Sequence, residues 1–204
     1  MNYLEFRNAL LPFKVFSIWD AKKQFSNFDT RRLVEWQAKG YILKIINGWY
    51  LFTEVTKDDN LINRVSNCLH QPSYISLESA FAFYNLIPEA VFTCQSVTTN
   101  KTQMYHTSIG DFVYRSVKQS LYFGYSIFRE GMFPVCMAEK EKALLDYFYL
   151  NTHFNKIVDF EELRFNIDEL ANLDWGKMNI YLEIFDNKQL TKRVTNFKLF
   201  LQYA

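Results

Sequence analysis

Apolar residues recur along this chain with two different periods, and the switches between them mark its elements. Tyr3, Phe6, Leu10 and Leu11 stand at helical spacing until Pro12 stops the run. Ser17 then fits the N-cap of a second helix through Ile18, Trp19, Ala21 and Phe25, with Lys22 and Lys23 on its polar side. After the turn Ser26-Asn27-Phe28, Asp29 or Thr30 caps a third helix over Arg31 to Lys39, closed by Gly40. Leu33 and Trp36 point inward in that helix, and Val34 is a further candidate. Two extended apolar runs follow, Tyr41 to Ile46 and Trp49 to Phe52, joined by Asn47-Gly48. Asn-Gly in that position predicts a hairpin with a type I′ turn, in which both central residues have positive φ. Helix, turn, helix and tight hairpin in this order are the layout of a winged helix-turn-helix.

The polar stretch Thr56-Lys57-Asp58-Asp59-Asn60 separates this unit from the rest. Leu61, Ile62, Val65 and Leu69 predict a helix that Pro72 breaks, and Tyr74-Ile75 is a short extended piece. Ser76 caps a helix from Leu77 to Leu86, with Leu77, Ala80, Phe81 and Tyr84 on one face. From Val91 to Val135 the texture turns to β, in Val91–Thr98, Phe112–Val117 and Tyr122–Tyr125, with turns at Gly110-Asp111 and Gly131. Ala138 to Asn151 is a helix with Ala143, Leu144, Tyr147 and Phe148 inward. The remainder is helical in pattern, with a break near Trp175-Gly176-Lys177. The predicted class is α+β: a winged helix-turn-helix at residues 1–56, then a mixed α/β unit at 57–204 whose residues 157–204 form a helical tail.

Composition narrows the function classes. With 20 Phe and 13 Tyr in 204 residues, most aromatics must be core. No apolar run reaches the roughly 18 to 20 residues a membrane span requires. The first residues lack the basic-then-apolar plan of a signal peptide. Cys68, Cys94 and Cys136 are odd in number, widely spaced and without a CxxC, which indicates neither a disulfide framework nor a zinc site. The expectation is a cytoplasmic protein with no cofactor, no metal and no membrane partner. The net charge of +1 divides into +3 over residues 1–56 and −2 over the rest, a sign that favours a phosphate-facing N-terminal unit.

On the third helix, Thr30, Arg31 and Arg32 occupy the outer arc that would enter a groove, where Arg can bind guanine bidentately. Lys22, Lys23, Lys39 and Lys44 are the candidate phosphate contacts, and Asn47 at the hairpin tip meets backbone or minor groove. The same residues also fit a solvated helix face with an Arg31–Glu35 pair at i,i+4. Trp49 and Tyr50 fit core positions under the hairpin or a protein-docking surface.

Enzyme signatures are missing. His70, His106 and His153 are far apart, and no GxSxG, Walker loop or GxGxxG occurs. The Asp-x-Lys triplets, Asp20-Ala21-Lys22 and Asp186-Asn187-Lys188, fall on a helix and in a polar loop rather than on a nuclease strand. No Gly-Ser followed by Asp-x-Asp is present, so the chain is not itself a nucleotidyltransferase. The expectation is a DNA-binding protein rather than an enzyme, the alternative being a winged-helix protein-interaction module or another kind of transcription regulator.

Three segments, KGYILKIINGWYLF (39–52), YISLESAFAFYNLIP (74–88) and MAEKEKALLDYFY (137–149), together resemble the AbiEi-type antitoxins of type IV toxin–antitoxin, or abortive-infection, systems. In that family a winged helix precedes a domain with a Ser-Ala-Leu-like signature ending in His-Gly-Leu, and later a Glu-Lys-Ala-Leu-Leu-Asp helix. Glu141 to Asp146 fit the last motif directly. Ser79-Ala80-Phe81 and Tyr84-Asn85-Leu86 fit the earlier one with substitutions, Asn85 standing where a Gly is usual and being the next-best residue in a left-handed cap. The similarity spans residues 16–150. It implies an autoregulator that binds inverted repeats in its own promoter and counteracts a nucleotidyltransferase-like toxin without a stable complex. Glu141 to Asp146 also fit a structural salt-bridge role.

Overall fold

The computed structural model describes residues 2–130 and 133–203, and they form a mixed α+β protein. Helix α1 (Tyr3–Leu10) starts where Asn2 accepts the Glu5 N–H, and a 3₁₀ turn at Leu11–Phe13 carries Pro12. Strand β1 (Val15–Ser17) was not expected from sequence; it leads into α2 (Ile18–Gln24). Ser17 caps α2 as expected, in a capping box with Asp20. Phe25 has already left the helix in extended conformation, and Phe28 tucks under against Phe6, ring centroids 5.3 Å apart. Helix α3 (Arg31–Ala38) follows, then β2 (Ile42–Ile46) and β3 (Trp49–Phe52). These strands form an antiparallel sheet in the order β1-β3-β2. Gly40 takes φ +71 and closes α3 as expected.

Two local expectations need correction here. Gly48 has φ +87, but Asn47 is not in the positive-φ region, so the turn is not type I′. A bulge between Lys44 and Ile46 absorbs the difference in register instead. Val34 is 69% exposed rather than inward, because Leu33 and Trp36, three apart, already define the buried face.

The second part of the chain is built on one six-stranded sheet in the order β6-β7-β5-β4-β9-β8. In chain order its elements are α4 (Asp59–Leu69), β4 (Ser73–Ile75), α5 (Leu77–Phe83), β5 (Thr93–Thr98), β6 (Gln103–Thr107), β7 (Gly110–Ser116), β8 (Tyr125–Glu130), β9 (Phe133–Ala138) and α6 (Lys140–Leu150). Strand β6 escaped the sequence reading because its side chains alternate around the polar Gln103, His106 and Thr107 at a sheet edge. The β6–β7 turn lies before Gly110, and Tyr122 to Gly124 precede β8 rather than belonging to it. The turn expected at Gly131 lies outside the described residues. Helix α5 ends at Phe83, short of Leu86, and Asn85 takes φ +55, the left-handed cap its amide tolerates.

Helix α4 covers one face of this sheet and α6 the other. Ser66 on α4 bonds Ser96 at 2.8 Å and its carbonyl accepts from Tyr114, whereas Tyr74, whose neighbour Ile75 points oppositely, donates to Asp146 on α6. Four further helices, α7 (Ile157–Glu161), α8 (Ile167–Leu170), α9 (Trp175–Phe185) and α10 (Lys188–Tyr203), complete the layer on α6. The break expected at Trp175 is instead a helix start, capped by Asp174 accepting from the Lys177 N–H. Phe160, Phe197, Met178 and Phe185 join the same core as the sheet, so residues 157–204 are part of the fold rather than an appendage.

A smaller core, centred on Phe6, Phe16, Leu33, Trp36 and Phe52, fills the N-terminal unit. Val15, Ile45 and Leu51 turn the other way and are buried in the larger core. Among the described residues no helix is long and apolar enough to cross a membrane.

Candidate nucleic-acid interface

The end of α2, the connecting turn and the start of α3 bring Lys22, Lys23, Thr30, Arg31 and Arg32 to one end of the N-terminal unit. The α2–α3 turn is tightened by the Phe28 N–H donating to the Phe25 carbonyl at 3.0 Å. The Ile18 N–H donates to the Gly48 carbonyl at 2.9 Å, which ties the hairpin tip, and with it Asn47, to the start of α2. Lys39 and Gly40 sit at the opposite end of α3, roughly 12 Å away along an axis rising 1.5 Å per residue. There Thr53 donates to the Gly40 carbonyl at 2.8 Å. Lys44 projects from β2, in register with Tyr50. The α2–α3 connection thus groups Lys22, Lys23, Thr30, Arg31 and Arg32, with Asn47 at the hairpin tip beside the start of α2 and Lys39 at the far end of α3.

Their electrostatic states differ. Arg31 is engaged by Asp29, Nη2 to Oδ2 at 2.7 Å, with Nε within 3.0 Å of both carboxylate oxygens. The hydrogen bonds from Arg31 hold the Asp29 carboxyl below its usual range and raise the guanidinium in turn. Lys39 pairs with Glu35 at 2.7 Å, so the i,i+4 pair of this helix is Glu35–Lys39 and not Arg31–Glu35. Both pairs are fully solvated and weak enough to be exchanged for phosphate contacts. Arg32, Lys22, Lys23 and Lys44 are in no ion pair among the described residues. Thr30 occupies the N-cap position without a side-chain cap bond, because Asp29 accepts the Arg31 N–H instead.

Sequence reasoning missed Trp19. It is 78% exposed, with the Lys22 ammonium 5.5 Å from its ring centroid. The signal was present: Ala21 is the buried residue of α2, and residues two apart on a helix point about 200° from one another. Trp19 therefore lies on the outer surface beside the lysines. Trp49 is half-buried and Tyr50 buried, which assigns Tyr50 to the core under the hairpin.

The Glu-Lys-Ala-Leu-Leu-Asp segment is structural. Lys142 and Asp146 form an ion pair wholly shielded from solvent. Asp146 also accepts from Tyr74 and Ser76, each at 2.9 Å, and Lys142 donates to the Tyr74 hydroxyl at 2.7 Å. Ser76 stands at the N-cap of α5, but its hydroxyl serves Asp146 rather than the helix. Burial pushes the Asp146 carboxyl up and the Lys142 ammonium down, against the attraction between them. Glu141 accepts the Asp174 N–H at 2.9 Å and so fastens the start of α9.

Among the described residues no group of three or more His, Cys, Asp or Glu is placed to hold a metal ion. His70 and His106 lie on separate elements, the latter 3.0 Å from Asp111. No family model matches the chain, and no curated protein matches it.

Proposed function

We propose that this chain is a DNA-binding autoregulator, the antitoxin of a type IV toxin–antitoxin operon. The observation that carries the DNA-binding reading is the order α1-β1-α2-α3-β2-β3. In a winged helix-turn-helix that order presents α3 to the major groove and the β2–β3 hairpin to the flanking backbone. On this reading Thr30, Arg31 and Arg32 meet base edges, Lys22 and Lys23 meet phosphates, and Asn47 reaches the neighbouring backbone. Lys39, at the far end of α3, and Lys44 take further phosphates. The antitoxin assignment is supported by the resemblance over residues 16–150. A nucleotidyltransferase-like toxin would be its functional partner, without a stable complex, and the protein would act in the cytoplasm and carry out no chemistry of its own.

The test is fluorescence anisotropy on DNA from directly upstream of the gene, with random duplex as control and salt from about 50 to 200 mM. Selective binding that falls steeply with salt is the expected result. Arg32→Ala should weaken binding to the upstream site by about 1 to 3 kcal/mol while changing random-duplex binding little. Weak, salt-insensitive and unselective binding would overturn the reading. It would favour a protein-docking role, for which the exposed Trp19 and Val34, with Arg31 and Lys39 already paired to carboxylates, are the supporting observation. An adjacent nucleotidyltransferase-like gene whose toxicity this chain does not relieve would remove the antitoxin half alone.

A further inference from the structure

A cavity of about 220 Å³ lies where the N-terminal unit meets the large sheet. Its walls come from stretches distant in sequence: the turn after α1, helix α4, the end of α5, and the β8–β9 pair. Three wall residues are cations, Lys14, Arg64 and Arg129. Among the described side chains lining the cavity none is acidic, and none of the three cations is in an ion pair among the described residues. The remaining polar walls are the amides of Asn60 and Asn63, and Phe83, Phe128, Val135 and Met137 make the apolar side.

Arg64 is the informative member. Its guanidinium carbon stands 3.4 Å from the Phe133 ring centroid, so the side chain is held by stacking rather than by an acceptor. Its Nε is buried without a hydrogen-bond partner among the described residues. A buried N–H with no acceptor costs stability, and native proteins keep few of them without a reason. Lys14, at the rim, is held at φ 61 and ψ −59, a conformation outside the ordinary regions for an L-residue. The Arg64 guanidinium, two further cations in no ion pair among the described residues and an aromatic wall around one small space are the parts of an anion pocket with an apolar floor, the buried Nε marking a side chain that the surrounding protein leaves without an acceptor.

We propose that this cavity binds a small organic anion: one carboxylate or phosphate head held by Arg64, Lys14 and Arg129, on an apolar body lying against Phe83, Phe128 and Val135. A ligand of on the order of ten non-hydrogen atoms, the size of a phenylacetate, fits a space of about 220 Å³. The exposed rim is mostly polar, with Lys14, Asn60 and Arg129 beside Pro12 and Phe83, and a peptide probe separates a small anion from a protein segment. The assignment does not rest on the DNA-binding reading.

The test is calorimetric titration of the full chain with five probes: phenylacetate, phenyl phosphate, phenylacetamide, inorganic phosphate and the peptide N-acetyl-Phe-Glu. The expected result is saturable one-to-one binding of at least one of the two aryl anions, with Kd on the order of 0.1 to 1 mM for a ligand of this size. Which of the two binds tighter identifies the head group. The neutral amide and inorganic phosphate should each bind at least about tenfold more weakly, for lack of charge and of apolar body respectively. Arg64→Gln should weaken the aryl anion about tenfold or more. Arg129→Gln, at an exposed position that leaves the Phe133 stack intact, should weaken it severalfold, while Lys101→Gln, far from the cavity, should leave it unchanged. The proposal is overturned by any of four outcomes: no saturation by either aryl anion up to about 10 mM, an amide or inorganic phosphate that binds as well, binding unaffected by both arginine variants, or binding of N-acetyl-Phe-Glu in preference to both anions.

Discussion

Removing the Asp146 carboxylate should destabilise this protein more than any surface change, and the reason lies in what it leaves behind. Asp146 is the acceptor for three buried donors: the Lys142 ammonium and the hydroxyls of Tyr74 and Ser76. In Asp146→Ala the ammonium stays enclosed by the rings of Tyr74, Phe123 and Phe185, all about 5 Å from it, with the Tyr74 hydroxyl as its remaining partner. Breaking a buried pair from one side costs about 3 to 5 kcal/mol, against a total stability of about 5 to 15 kcal/mol for a domain. Lys142→Met should cost a similar amount by orphaning the carboxylate. Both charges are disfavoured by burial, Asp146 being pushed up and Lys142 down. A raised carboxyl loses stability as pH rises through its folded pKa, and a depressed ammonium loses stability as pH falls through its own. Wherever both groups are charged both penalties are present, and removing both charges relieves both. The double variant Lys142→Met/Asp146→Ala should accordingly cost about as much as one single, not the sum of two. Urea unfolding at pH 7, followed by tryptophan fluorescence and far-UV circular dichroism, gives the three free energies. Additivity within about 0.5 kcal/mol, or a cost below about 1 kcal/mol for Asp146→Ala, would refute the reasoning.

Three further outcomes follow from single positions. Glu78 is half-buried, its Oε2 shielded and lacking a hydrogen-bond partner among the described residues, and burial pushes its carboxyl up. Its contribution to stability is thus lost as pH rises through the folded pKa, so Glu78→Gln should be about 1 kcal/mol more stable than the parent at pH 7 and indistinguishable from it at pH 4. Parallel urea midpoints across that range would contradict this. Gly124 combines φ +68 with a Cβ position 3.0 Å from Lys142 Cγ, so Gly124→Ala should cost more than about 2 kcal/mol in the same assay. Gly48, with φ +87 but open space around it, should cost only about 1 kcal/mol as Gly48→Ala; equal losses at the two positions would mean that the Lys142 stem yields.

How much of this was legible in the sequence depended on whether a signal was local. The Ser17 cap, the Gly40 stop and the Asn85 left-handed cap each rest on a residue's own conformational preference, and each stands where expected. The exposed Trp19 and Val34 were misread where hydrophobicity was allowed to outweigh helical phase. Strand β6 and the pairing of Arg31 with Asp29 depend on neighbours brought up by the fold, to which no periodicity points. Lys142 and Asp146 were visible as an i,i+4 pair on a helix, but their burial was not, because it is imposed by Tyr74 and Ser76 some seventy residues away. Arg64 gave no sign at all: a single arginine on an amphipathic helix becomes unusual only when the β8–β9 pair closes over it.

The same dependence on the fold bears on the boundary at residue 56. Read along the chain, the first unit carries its own core of Phe6, Phe16, Leu33, Trp36 and Phe52. In the structure it also gives Val15, Ile45 and Leu51, all buried, to the larger core, with Phe13 against Phe133 at 5.6 Å between ring centroids. Leaving a buried aliphatic exposed costs about 1.5 to 3 kcal/mol, so cutting the chain at 56 forfeits roughly 5 to 9 kcal/mol from these three. A unit of that length has about 3 to 8 kcal/mol in total and is marginal even when intact. A fragment of residues 1–56 should therefore be unfolded or aggregated at 25 °C, although its sequence reads as a complete helix-turn-helix with hairpin. Far-UV circular dichroism and amide dispersion in an NMR spectrum of the fragment decide the matter. A cooperative unfolding transition worth more than about 3 kcal/mol would show that Val15, Ile45 and Leu51 are carried rather than required. If the fragment fails while the full chain binds DNA, the sheet beneath the hairpin is part of what holds α3 in place.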